Sequence, residues 1–335
     1  MLYLIQTAMD LFFAYFVFIL SLTIIIFLLG KTKAWEILHL NKDKKARLLF
    51  TVPAGLINPL GDHSPHEIQT TAELYKRLGE LEIPFTVEAA VHSIGEEIYF
   101  YLVVPEKDKR RVSDLVESLW PTGYLGEAEE YDLWLRDEEK KGSLSAGYFS
   151  LSRPFAIPLK TARRGHFEPF LSVLNALSSL KTLGESAALQ IIVKPASNEM
   201  IAAVKRSLES LESGNYQPHH THESFRITPE SLKSIRSKVS SPLFSVNYRV
   251  VAVAKHEEAD KIFKKVSNAI EENSKDHFMQ LNELVIKMPK DQNSLLKRFL
   301  SGTFSGNEEI LLNADELSTY FHLPGRTTPI PKIKR

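Results

Sequence analysis

Residues 82–105, EIPFTVEAAVHSIGEEIYFYLVVP, decide how the chain is read. Phe85, Val87, Ala89 and Val91 alternate with polar or small residues, the period-two pattern of a strand with one buried face. Residues 93–96 form a turn. Residues 98–104 (IYFYLVV) are a second, more continuously apolar strand, so the pair reads as a β-hairpin. Working outward, RLLFTVP at 47–53 is a short buried strand. Ser64-Pro65-His66-Glu67 then opens a helix, with Ser as N-cap, Pro at the first helical position and Glu closing a capping box. On the far side of the hairpin, Val112, Leu115, Val116 and Leu119 mark an amphipathic helix, and Tyr131, Leu133 and Leu135 alternate in a closing strand. The order across 46–140 is β-α-β-β-α-β, a split βαβ or ferredoxin-like unit.

The pattern then repeats across 141–290. A strand at 146–159 precedes a helix with Phe167, Phe170, Leu174 and Leu177 on one face, and AALQIIV at 187–193 is a buried strand. Phe244, Val246, Tyr248, Val250 and Ala252 alternate, Ala259, Phe263, Val266 and Ile270 form a helical stripe, and Leu284, Ile286 and Met288 close the unit. Between the central strands lies an insertion at 196–241, read as helices Asn198–Glu212 and Pro229–Val239 around a polar loop. Residues 291–335 read as C-terminal helices and a linker. Asn313-Ala314-Asp315-Glu316 is a further capping box, opening a helix whose Leu317, Tyr320 and Phe321 share one face, extended by Leu323. A helix this short is marginal alone in water, so these four residues are expected to dock on a partner or on the domain edge, with 326–335 projecting away.

Residues 11–29 (LFFAYFVFILSLTIIIFLL) carry no charge over about 19 residues, the length a helix needs to cross a bilayer core. Lys31, Lys33, Lys42, Lys44, Lys45 and Arg47 follow the stretch, and no Lys or Arg precedes it. The positive-inside rule then gives an external N-terminus and a cytoplasmic body on a single-pass anchor in the cell membrane. The expected organisation is an anchor at 1–30, a juxtamembrane stalk at 31–45, two ferredoxin-like domains at 46–140 and 141–290, and a tail at 291–335. The expected fold class is α+β: one transmembrane helix followed by two βαββαβ domains, the second with a helical insertion.

Chemistry is sparsely signalled. The 41 Lys+Arg balance 41 Asp+Glu, which excludes a generally basic nucleic-acid binder. Zero cysteines exclude disulfides, thiolate zinc sites, iron–sulfur clusters and a cysteine nucleophile. Gly30-Lys31-Thr32 imitates the end of a phosphate-binding loop, but Ile25 stands where that motif needs its first glycine. His219, His220 and His222, beside Glu223, are the candidate metal ligands, because imidazoles this close in a loop can share an ion; a solvated polar loop is the plainer reading. Lys107–Arg111 (KDKRR) reads as a solvated helix face rather than an anion site. No nucleophile elbow, zincin motif or dinucleotide fingerprint is present, which favours a non-enzyme without a cofactor.

Three stretches carry a resemblance to a known family: 82–105 quoted above, LNALSSLKTLGESAALQIIVKP at 174–195, and above all LLNADELSTYFHLPG at 311–325. They resemble the N-terminal region of the membrane-anchored coupling ATPases of bacterial type IV secretion and conjugative DNA transfer. The resemblance implies a non-catalytic anchoring and assembly module preceding a hexameric P-loop motor of the FtsK/HerA type. Its implied partners are that motor, in cis or in trans, other channel subunits, the lipid bilayer and further copies of the chain, with DNA met only indirectly. The chain stops at Arg335, where the motor domain of that family begins, so no ATP-binding residue carries over. The alternative is a membrane-bound enzyme or metal sensor using the His219–His222 loop.

Overall fold

The computed structural model describes residues 20, 44–53, 64–92, 97–128, 142–162, 169–180, 184–213, 228–255, 257–275, 281–326, 328, 330 and 332–335. Residues 46–335 form one compact unit and 1–45 another. The first half of the larger unit runs β1 (Lys45–Thr51), α1 (Ser64–Glu80), β2 (Phe85–Val91), β3 (Ile98–Pro105), α2 (Lys109–Leu119) and β4 (Tyr124–Glu127). The second runs β5 (Gly142–Leu151), α3 (Pro169–Ser178), β6 (Ser186–Pro195), α4 (Asn198–Glu212), α5 (Pro229–Val239), β7 (Leu243–Lys255), α6 (Glu258–Ser274) and β8 (Leu284–Lys287). The chain ends with α7 (Gln292–Leu300), β9 (Ile310–Asn313) and α8 (Ala314–Tyr320).

These strands make one nine-stranded sheet in the order β4-β1-β3-β2-β6-β7-β5-β8, with β9 pairing on β7. Two separate ferredoxin-like domains are therefore not what the described residues build. The halves follow the same strand path, but they meet edge to edge: β2 and β6 pair antiparallel from Phe85↔Val193 to Val91↔Ala187. The reason lies in composition. Every residue of β2 is buried, as are the first eight of β6. A strand covered on both faces, with an apolar outer edge, is an unstable terminus for a sheet, and pairing the two removes both edges. The closing strand of the first half is β4, a four-residue edge at 124–127; the 131–135 segment expected in that role lies outside the described residues.

Helices α1, α2, α3, α6 and α8 cover one face of the sheet, and their apolar stripes meet it in a single core. Leu74 and Leu78 of α1, Val116 of α2, Leu174 and Leu177 of α3, Val266 and Ile270 of α6 and Leu317 of α8 all belong to that core. Gly147 lets α6 settle on β5: a Cβ there would lie 2.7 Å from the Phe263 ring. Helices α4 and α5 close a smaller cluster with Ala156, Leu243 and Leu311. On the opposite face α7 sets Leu295, Leu296 and Phe299 against Ala90, Ala146, Ala188 and Val251, small side chains that admit a close approach.

The tail is part of this core and not a docking appendage. Leu317, Tyr320, Phe321 and Leu323 are each at most 2% exposed. The capping box at Asn313–Glu316 forms as the residue pattern implies. Helix α8 packs between α1 and α3. Tyr75 Oη donates to Phe321 O at 3.1 Å, Tyr248 Oη to Tyr320 O at 3.2 Å, and Leu323 N to Thr71 Oγ1 at 3.1 Å. One carboxylate, Glu316, accepts from Asn313 N, Leu159 N and Lys238 Nζ, which ties α8 to the insertion helix α5. The described residues of 326–335 do not project away. Ile98 N donates to Lys332 O at 2.7 Å, Lys334 N donates back to Ile98 O at 2.9 Å, and Ile330 and Ile333 are buried.

No helix among the described residues is long and apolar enough to cross a membrane. The longest, α1 and α6, have 17 residues each and carry charged side chains. The single-pass membrane localisation expected from residues 11–29 is corrected on that finding; the stretch itself, Leu20 apart, lies outside the described residues.

Truncation after Asn307 removes β9, α8 and the buried strap behind them. It is expected to abolish the cooperative unfolding transition followed by circular dichroism, and Leu317→Ala alone to cost about 2–5 kcal/mol in urea titration. A truncated chain that melts cooperatively at the full-length midpoint would refute the core role of the tail.

Candidate functional site

On the face that α7 covers, the central strands carry polar or phenolic residues among apolar ones, and one such residue from each strand lies in register with the next. Tyr101 of β3 sits opposite Glu88 of β2, and Glu88 opposite Gln190 of β6. Gln190 sits opposite Arg249 of β7, Arg249 opposite Tyr148 of β5, and Tyr148 opposite Lys287 of β8. The row crosses six strands and passes straight through the β2–β6 junction. Glu88, Gln190 and Arg249 are fully buried.

Burial of such groups is tolerable only if they are paired and hydrogen-bonded. Arg47 of β1 forms an ion pair with Glu88 through Nη1. Gln190 Nε2 donates to Glu88 Oε1 at 2.9 Å and to Phe299 O, at the end of α7, at 2.8 Å. Arg249 Nε meets Glu308 Oε2 at 2.6 Å. Its Nη2 donates to Thr303 O at 2.8 Å and Asn247 Oδ1 at 3.1 Å, and its Nη1 to Arg298 O at 3.2 Å. Arg298 Nη2 reaches the other Glu308 oxygen at 2.7 Å. Asn247 in turn holds the 303–305 turn through Ser305 N and O. Burial pulls the Arg249 guanidinium below its ordinary value, while Glu308 acts in the opposite sense. A guanidinium stays charged through shifts of that kind, so the pair remains ionic.

At the β3 end, His92 Nε2 and Tyr101 Oη lie 2.8 Å apart, and the Arg47 guanidinium sits 5.6 Å from the Tyr101 ring centre. Burial, then the Arg47 charge, pushes His92 down to about 4, and burial pushes the Tyr101 phenol up. Tyr99 stacks parallel to Tyr101 with ring centres 6.3 Å apart. The chemistry open to this constellation is alignment. Carboxylates and guanidinium groups bond to one another, and the Gln190 amide and Arg249 guanidinium donate to the α7 carbonyls of Phe299 and Arg298, fixing strand register and helix position together.

The residues singled out from sequence lie elsewhere. Leu317, Tyr320, Phe321 and Leu323 are in the core on the other face of the sheet. His219, His220 and His222 lie outside the described residues. Among the described residues no group of three or more His, Asp or Glu is placed to hold a metal ion. Lys107–Arg111 leads into α2, where Lys109 pairs with Glu127 on the surface. The row itself escaped sequence reasoning, although a signal was present: a lone charged or amide residue inside FTVEAAV and SAALQIIV, and an Asn–Arg pair inside VNYRVVAVA. A trough of about 510 Å³ between α3 and α6 is remote from the row, on the helical layer.

The model of a domain of unknown function, DUF8128, matches residues 85–335. The chain belongs to this family. The matched region begins at the first residue of β2, so β1 and α1 complete the DUF8128 sheet and core from outside the match. No curated protein matches the chain. Among solved structures, a single-residue variant of berberine bridge enzyme, described as a reticuline dehydrogenase, is similar at 11% identity with a TM-score of 0.31. The alignment covers 71% of this chain, which spans 43% of the length of that structure. A likeness of that size carries no argument about fold or chemistry. None of these comparisons connects the DUF8128 chain with type IV secretion or conjugation.

Removing Arg249 leaves Glu308 its bond to Arg298, whereas removing Glu308 leaves the Arg249 guanidinium buried without that carboxylate. Arg249→Met or Glu308→Met is expected to cost about 3–5 kcal/mol in urea titration, and the double variant Arg249→Met/Glu308→Met distinctly less than the sum. Additive costs would show that the two groups do not act as a pair.

Acid provides a second check. His322, buried against Phe170 with its Nδ1 donating to Ser318 O, is held down at about 4 by burial. Both His322 and His92 are neutral in the fold and take up protons near 6.5 once unfolded. Their contribution is complete above pH 6.5 and is lost as pH falls toward 4, since the unfolded chain then binds more protons. For His322 the loss is expected to reach about 3 kcal/mol, measured as the stability difference from His322→Gln across that range. A difference that does not change with pH would refute this account.

Proposed function

We propose that this DUF8128 protein is a non-catalytic assembly module that works without a cofactor, with a P-loop ATPase motor as its partner. The observation that carries the reading is the direction in which the buried charges point. Arg47, Glu88, Gln190, Arg249 and Glu308 face one another and the backbone of α7 and its following turn. General acid–base or nucleophilic chemistry needs such groups within bonding reach of a substrate. Groups committed to one another build a stiff platform instead. The segment 311–325, strongest in the family resemblance, contains α8, the wedge between α1 of the first half and α3 of the second. That position suits a module whose task is to hold its shape under load.

The purified chain is expected to show no ATP turnover, and to bind a separately purified P-loop ATPase from its own genome in isothermal titration. Hydrolysis that persists after removal of contaminating ATPases would overturn the non-catalytic reading. Absence of binding at concentrations of about 100 μM, where interactions weaker than roughly 5–6 kcal/mol go undetected, would overturn the partner.

A further inference from the structure

We draw no further inference here: the strongest candidate, the polar trough between α3 and α6 lined by Ser172, Asn175, Lys265, Asn268 and Glu272, has a lysine and a glutamate that already bond to Ser179 and Lys275 of the same chain, and nothing in the structure shows what covers it.

Discussion

The pairing of β2 with β6 is the constraint on which the rest of this structure depends. Both strands are buried on both faces, and each is the outermost strand of its half. Apart, the halves would expose two apolar edges; together, they share seven register pairs in one continuous sheet. Once the sheet is continuous, the helices of the two halves lie side by side with a gap above the junction. Helix α8 fills that gap, with Leu317 and Tyr320 inward and two buried tyrosines of α1 and β7 bonded to the carbonyls at its end. The tail is thus needed to complete the core and is not free to leave it.

The polar row makes that pairing specific. Apolar strands of this kind slide easily, because Val, Ile and Ala offer little to distinguish one register from the next. A slip of one residue between β2 and β6 would turn Glu88 or Gln190 toward the helical core, where neither has a partner. A slip of two residues would keep the faces but separate Glu88 from Gln190. Buried ion pairs add little net stability, since desolvation opposes the Coulomb attraction. Their value here is discrimination between registers. The same reasoning applies to Lys238, buried with Glu316, which fixes the insertion helix α5 relative to α8. Burial lowers the Lys238 ammonium from its ordinary value, and the Glu316 carboxylate opposes that shift by favouring the charged amine.

The outer edges are managed differently from the inner ones. At β8, Ile286 N donates to Glu271 Oε1 and Leu284 N to Ser274 Oγ, both from α6, so side chains of a helix take the place of a further strand. At the other end β4 is only four residues long, and Tyr124 is 65% exposed. A short edge offers few backbone groups to a neighbouring chain.

Much of the local structure was legible in the residues alone. The hairpin at 85–104 follows from alternation, the insertion helices Asn198–Glu212 and Pro229–Val239 stand where they were read, and the box at Asn313–Glu316 follows from its spacing. These depend on interactions within a few positions, which a linear pattern records. The strand β9 and the short edge β4 left no such record, because each is set by the strand it joins. Whether the apolar face of α8 meets a partner or its own chain is likewise undetermined by its pattern; a stripe of Leu, Tyr and Phe looks the same in either case. Only the tertiary structure decided that α1 and α3 supply the other side. Only it decided that Glu88, Gln190 and Arg249, about 60–100 positions apart in pairs, stand in one line. The physical reason is that strand neighbours are chosen by the burial of whole edges and faces, a property of the assembled sheet that no single segment contains.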